Sequence, residues 1–166
     1  MTKVIELYGA PGSGKSTYAA QLFVTLKKQG YKVELALESV KDWIYDGRQV
    51  DLTNELWFLG EQFRRESILY GKVDFIITDA PMLLHAFYAD KFSSLEFGAF
   101  VNQYITSIRA KFGVSVDSIL LKREGFRFQP EGRIHSEQEA DAIQNELQQY
   151  LGRFVTLTSS EEGFTL

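Results

Sequence analysis

Apolar and polar positions along this chain alternate between two rhythms. Lys3-Val-Ile-Glu-Leu-Tyr8 is a short apolar run and predicts a strand. From Thr17 to Lys28 the period lengthens: Ala19, Leu22, Phe23 and Leu26 share a helical face, and Gly30 stops the helix. Tyr31 to Leu37 alternates as a second strand, and Glu38 to Tyr45 reads as a short helix or a loop. Leu56, Leu59, Phe63 and Tyr70 mark a long helix that ends at Gly71. Val73-Asp-Phe-Ile-Ile-Thr78 is a β-branched buried strand, and Pro81 suits the first turn of a following helix. Phe97, Val101, Tyr104, Ile105, Ile108 and Phe112 form another helical stripe, followed by a strand from Val116 to Lys122. Ser136-Glu-Gln-Glu139 is a capping box opening a helix carried by Ala140, Ile143, Leu147 and Leu151. Arg153 to Thr158 completes the series as a fifth strand.

Strands alternating with helices predict an α/β fold, a parallel sheet covered on both faces with right-handed crossovers. Such sheets bind ligands at the C-terminal ends of their strands. The loop from Gly9 to Ser16, Glu38, Asp79 and Arg123 each follow a strand, so chemically useful residues converge on one edge.

Bulk properties bound the reading. The 166 residues fit one domain spanning 1–166, and 45% apolar with 24% charged residues is ordinary for a globular chain. A net charge of −4 argues against a non-specific nucleic-acid binder. No cysteine is present, which excludes disulfides and thiolate metal sites. No apolar run has the length of a membrane span, and residues 1–8 read as a strand rather than a signal peptide, so a cytoplasmic protein is expected. Thirteen Phe and eight Tyr exceed what a site needs and belong mainly to the core.

The strongest motif is Gly9-Ala-Pro-Gly-Ser-Gly-Lys15-Ser16, a full match to the phosphate-loop pattern G-x-x-x-x-G-K-[S/T] in its strand–loop–helix setting. Gly9, Gly12, Ser13, Gly14, Lys15, Ser16 and Thr17 are the expected nucleotide contacts. Gly12 and Gly14 let backbone N–H groups approach phosphate oxygens, and the next helix aims its N-terminus at the same place. Lys15 supplies charge toward the β- and γ-phosphates, and the Ser16 hydroxyl is a ligand for Mg²⁺.

Asp79 ends the strand Phe75-Ile-Ile-Thr-Asp79 and is placed to hold Mg²⁺ opposite the loop, in the Walker B manner, or to cap the next helix. No D-x-x-G and no N-K-x-D motif is present, which argues against a small GTPase. Residues 123–136 form a candidate lid with Arg123, Arg127 and Arg133 among Gly125, Pro130 and Gly132. Arg127 and Arg133 are the candidates to offset charge on a transferring phosphoryl group as closure excludes water. Alternatively the arginines of an exposed loop pair with Glu124 and Glu131.

On the acceptor side, Glu38 can accept a hydrogen bond from a sugar hydroxyl or act as base, or it simply starts a solvated helix. Gln62 can read a base edge and Arg65 can hold an acceptor phosphate, at i, i+3 on one helix face, unless that face is plain solvated surface. Trp43, Tyr45, Trp57 and Phe58 can stack a base or fill the core, and His85 and His135 are too isolated for a metal site.

Gly9 to Thr17, Thr78-Asp79-Ala-Pro81 and Gly125 to Ala140 together resemble the P-loop nucleoside and nucleotide kinases. The chain is especially similar to short phage-encoded and bacterial members labelled AAA-type ATP-binding proteins. Gly132-Arg133-x-x-Ser136-Glu-x-Glu139-Ala140 is similar to a stretch of ribosylnicotinamide kinase domains. The resemblance implies a three-layer P-loop NTPase with strand order 2-3-1-4-5 and an Arg-rich lid. It also implies ATP and Mg²⁺ as cofactors, and a nucleotide or nucleoside acceptor between Glu38, the Gln62 helix and the lid. Thymidylate kinases carry Asp-Arg where this chain has Asp79-Ala80, and deoxynucleoside kinases carry Glu-Arg-Ser, so neither assignment transfers. The expected activity is transfer of the ATP γ-phosphate to a nucleotide, nucleoside or similar small acceptor. A polynucleotide or nucleic-acid-base kinase and a regulatory ATPase with a protein partner are the alternatives, and homodimerisation is left open.

Overall fold

The computed structural model describes residues 1–93, 96–122 and 136–159, with Leu52 described by its backbone alone. The candidate lid arginines Arg123, Arg127 and Arg133 lie outside the described residues, as does the tail from 160 onward. In chain order the elements are β1 (Lys3–Tyr8), α1 (Lys15–Lys28), β2 (Val33–Leu35), α2 (Val40–Tyr45), α3 (Glu55–Ser67) and β3 (Phe75–Thr78). They continue as α4 (Met82–Ser93), α5 (Phe97–Lys111), β4 (Ser115–Leu120), α6 (Glu137–Leu151) and β5 (Leu157–Ser159). A 3-10 turn, Leu52–Asn54, leads into α3.

The five strands form one parallel sheet in the order β2-β3-β1-β4-β5. This is the order implied by the resemblance to P-loop kinases. Helices cover both faces, unequally. Ile5, Leu7, Ile77 and Ile119 face α1, whose Ala19 and Leu26 complete that core. The opposite face carries Tyr8, which packs with Leu83, Phe87, Ile105, Ile143 and Leu147 of α4, α5 and α6.

Four strands are shorter than the apolar rhythm suggests: β3 begins at Phe75 rather than Val73, β4 runs Ser115–Leu120 rather than to Lys122, and β2 and β5 lose the largest share. β2 spans Val33–Leu35 rather than Tyr31 to Leu37, because Tyr31 N still bonds back to Leu26 O as part of the turn that closes α1. β5 begins at Leu157 because Phe154 N and Val155 N both bond to Leu151 O, and Arg153 lies over the rings of Tyr150 and Phe154. The capping box is formed as expected: Ser136 Oγ accepts from Glu139 N, and the Glu139 carboxylate accepts from Ser136 N.

Asp90 anchors the start of α5 from a distance, accepting from Phe97 N at 2.7 Å and from Gly98 N at 2.9 Å, with Tyr150 Oη donating to it at 2.6 Å. Gly98 is required there: a Cβ would stand 1.9 Å from the Tyr150 oxygen.

The α3–α5 face of the sheet also contains a charged network. Arg109 of α5 donates to Glu6 of β1 at 2.7 Å and to both oxygens of Glu66 on α3 at 2.9 Å. Tyr8 and Ser118 each donate to Glu6 Oε2 at 2.9 Å, and Tyr70 donates to Glu66. All three charged groups are buried. Burial pushes the Glu66 carboxyl upward, against the pull of Arg109. Such a group is stable when complete and costly when broken, because the remaining charges cannot reach water. Arg109→Met should therefore lower unfolding free energy by about 3–5 kcal/mol in urea titration. A loss below about 1 kcal/mol would mean that the network contributes no more than a surface ion pair.

Candidate functional site

The site forms at the C-terminal ends of β1 and β3, where the strands stop and backbone N–H groups become available. The β1–α1 loop turns through Gly9, Gly12 and Gly14, with φ of 150°, 85° and 81°. Gly14 is the left-handed cap of α1, so Lys15 and Ser16 form its first turn. A Cβ at Gly9 would meet Ser13 Oγ at 2.4 Å and the Leu121 carbonyl at 2.9 Å, so the loop closes only with glycine there. Ser13 is buried and its N bonds to Ala10 O at 3.2 Å, closing the turn. Lys15 Nζ donates to the carbonyls of Gly9 at 2.7 Å and Ala10 at 3.2 Å, which holds its charge over the concave side of the loop. Thr17 is exposed on the next position of α1.

Asp79 links this loop to the other half of the site. Its Oδ2 accepts from Ser16 Oγ at 2.6 Å and its Oδ1 from Glu38 N at 3.0 Å. Asp79 thus ties the Ser16 hydroxyl to the backbone of Glu38, and the Glu38 carboxyl takes no part in these bonds. Ser16 and Asp79 offer the hard oxygen donors that suit Mg²⁺, which is held by one or two protein oxygens together with phosphate. Among the described residues no group of three or more His, Cys, Asp or Glu is placed to hold a metal ion.

Glu38 is half-buried behind β2. Burial raises its carboxyl above the ordinary 4.5; Lys15 opposes the rise and the Asp79 charge adds to it. A carboxyl moved toward neutrality in this way is a better proton acceptor when it does ionise.

Gln62 departs from the expected base-reading position. It is fully buried, and its amide nitrogen donates to Ala36 O at 2.9 Å and Thr78 Oγ1 at 3.0 Å. It joins α3 to the ends of β2 and β3 instead of standing on an open helix face. Arg65 lies at the rim with its guanidinium engaged, to Glu61 at 2.9 Å and to the Leu37 carbonyl at 3.0 Å. Arg64 and Arg65 together hold the Glu61 carboxyl down at about 2.

Two positioning residues escaped the sequence reading. Gln144 of α6 accepts from Ala10 N at 2.8 Å and donates to Leu121 O at 3.1 Å, which staples the phosphate loop to the segment after β4. Lys41 of α2 donates to Ser16 Oγ at 2.9 Å and adds a second cation beside the loop. Neither sits in a motif: one is a polar position beside Ile143, the other an ordinary helix lysine. His85, set aside as isolated, is buried on α4 with Nδ1 3.5 Å from Glu55 Oε2.

Comparison with known proteins agrees at the level of fold. No protein-family profile matches the chain, and no curated protein does. Among solved structures the chain is similar to an APS kinase of Mycobacterium tuberculosis, with 14% identity and a TM-score of 0.50 over 91% of this chain and 98% of that one. At that identity the likeness establishes the fold alone, a parallel sheet in the order β2-β3-β1-β4-β5 with helices around it. No helix of the described residues is long and apolar enough to cross a membrane.

The raised Glu38 carboxyl gives a direct check. In metal-free protein its ¹³C carboxyl resonance should titrate with a midpoint above 4.5. Because the folded value exceeds the unfolded one, the folded state loses stability from this group as pH rises through that range. Glu38→Gln should therefore flatten the decline, and a Glu38 midpoint at or below 4.5 would remove burial as its governing influence.

Proposed function

We propose that this chain is an ATP-dependent phosphotransferase that moves the γ-phosphate of ATP to a nucleotide, nucleoside or related small acceptor. The observation that carries the reading is Asp79, which accepts from Ser16 Oγ and from the backbone N–H of Glu38 and so sets the Glu38 segment beside the phosphate loop, where the Glu38 carboxyl responds to the Lys15 and Asp79 charges. A nucleotide switch needs the first two groups. It has no use for a part-buried Glu38 held beside them.

In this reading the loop N–H groups, the α1 N-terminus and Lys15 hold the β- and γ-phosphates. Phosphate oxygens give Lys15 a charged acceptor in place of the Gly9 and Ala10 carbonyls it now contacts. Ser16 and Asp79 would hold Mg²⁺, which neutralises charge on the phosphates when bound. Glu38 orients an acceptor hydroxyl and takes its proton as the oxygen bonds to the γ-phosphorus and the bond to the β-phosphate oxygen breaks, releasing ADP. Arg127 and Arg133 are assigned to offset charge on the moving phosphoryl group. ATP as donor rests on the absence of guanine-reading motifs and on the resemblance to P-loop kinases.

The test is transfer from γ-labelled MgATP to a panel of nucleosides, nucleotides and oligonucleotides. Label should enter a small acceptor, and Lys15→Ala should reduce turnover by at least 100-fold, on the order of 3 kcal/mol of transition-state stabilisation. Label recovered only as free phosphate, whatever acceptor is present, would contradict the transferase reading and favour a regulatory ATPase. Label on oligonucleotides alone would point to a polynucleotide kinase.

A further inference from the structure

Lys41 has no part in the transfer step described above, yet it touches a residue on which that step depends. Its ammonium donates to Ser16 Oγ at 2.9 Å, and the same oxygen donates to Asp79 at 2.6 Å. Lys41 lies in the first turn of α2, close behind Glu38. The base of that segment is fixed, because Glu38 N donates to Asp79 at 3.0 Å. Lys41 therefore reaches the phosphate loop from the segment after β2. Lys15 rises from the loop itself and is held by the Gly9 and Ala10 carbonyls.

Two features set Lys41 apart from an ordinary helix lysine. The first is its unmatched charge. Among the described residues it forms no ion pair. The adjacent Asp42 pairs with Arg65 at 3.7 Å, and Arg64 and Arg65 share Glu61. Lys41 is bonded to a neutral hydroxyl, so an anionic phosphate oxygen would be the stronger partner.

The second feature is the identity of that hydroxyl. Ser16 Oγ has one proton and two lone pairs. Its proton goes to Asp79, and the Lys41 ammonium takes up a lone pair. Ser16 and Asp79 are also the oxygens suited to Mg²⁺, so a dication there would face the Lys41 charge across one shared atom. Like charges that close repel. A triphosphate relieves the conflict by giving the ammonium a different, anionic partner.

The place of that partner follows from the groups around it. Burial raises the Glu38 carboxyl, and the charges of Lys15 and Lys41 both oppose the rise. A phosphoryl group passing from the loop toward an acceptor held by Glu38 lies in the field of the same two ammonium groups. Lys15 meets it from the loop and Lys41 from the Glu38 side.

We propose that Lys41 is the residue by which the site distinguishes a triphosphate from a diphosphate: its ammonium leaves Ser16 for the γ-phosphate and so clears the Ser16 oxygen for Mg²⁺. The inference rests on the nucleotide-binding part of the phosphotransferase reading, and it is tested as binding.

The experiment is calorimetric titration of the full chain with the non-hydrolysable analogue AMP-PNP and with ADP, each in excess Mg²⁺. Wild type should bind Mg·AMP-PNP more tightly than Mg·ADP by about ten-fold or more, the size of one charge-assisted bond. Lys41→Met keeps most of the stem and removes the charge. It should cut that preference at least five-fold, weakening Mg·AMP-PNP while Mg·ADP binds as tightly as to wild type or more so. Lys41→Gln keeps a donor for Ser16 without the charge and should behave as Lys41→Met does. A wild type without the preference, a fall of less than five-fold in Lys41→Met, or a Lys41→Gln protein that keeps the wild-type preference would each overturn the assignment. Equal weakening of both nucleotides would do so too, since it would make Lys41 a support of the loop. Transfer assays with γ-labelled MgATP separate the two readings. A lost preference in a protein that labels no acceptor keeps the role of Lys41 and contradicts the transferase. An unchanged preference in Lys41→Met, with acceptor labelled by wild type, does the reverse.

Discussion

The carboxylate of Asp79 joins the two halves of this molecule's chemistry. One oxygen takes the Ser16 hydroxyl from the first turn of α1, and the other takes the backbone N–H of Glu38 from the end of β2. The three groups come from three separate elements and meet because β1 and β2 both pair with β3 in parallel register. Parallel pairing brings the three C-terminal ends to one edge, and a short acidic side chain at the end of the middle strand can then reach both neighbours. Without Asp79 the β1–α1 loop would keep its own turn but lose its bonded link to the segment after β2.

The scaffold beneath that edge is held by charge as well as by apolar packing. Arg109 ties α5 to β1 and α3 through Glu6 and Glu66, deep in the layer between sheet and helices. Gln62 continues the tie at the level of the strand ends. Gln144 secures the loop from α6. Each bond crosses from one element to another, so the site edge is positioned by polar contacts of fixed geometry as well as by a core that tolerates repacking.

What the sequence disclosed and what it hid have a common cause. Local patterns were legible: the apolar rhythm located every strand, the Ser136–Glu139 box located α6, and Gly9 to Ser16 located the loop. Features depending on distant partners were not. Gln62 and Glu66 look like solvated positions among Leu56, Leu59 and Phe63, yet both are buried against distant partners: Gln62 donates to Ala36 O and Thr78 Oγ1, and Glu66 meets Arg109, 43 residues away in the chain. Glu6 is concealed in the same way, its Arg109 partner 103 residues away. His85 is isolated along the chain because its neighbour Glu55 is on another helix. A buried polar residue is recognisable only with its partner, and no spacing rule within one helix or strand reveals that partner.

Metal dependence of nucleotide affinity tests most directly whether Asp79 organises the site. ATP binding would be measured by calorimetry with Mg²⁺ and with EDTA, for wild type and Asp79→Asn. Wild type should bind ATP more tightly with Mg²⁺, and Asp79→Asn should lose that increment while keeping its EDTA affinity, since Lys15 and the loop amides are untouched. An Asp79→Asn protein that keeps the full Mg²⁺ increment would contradict the account.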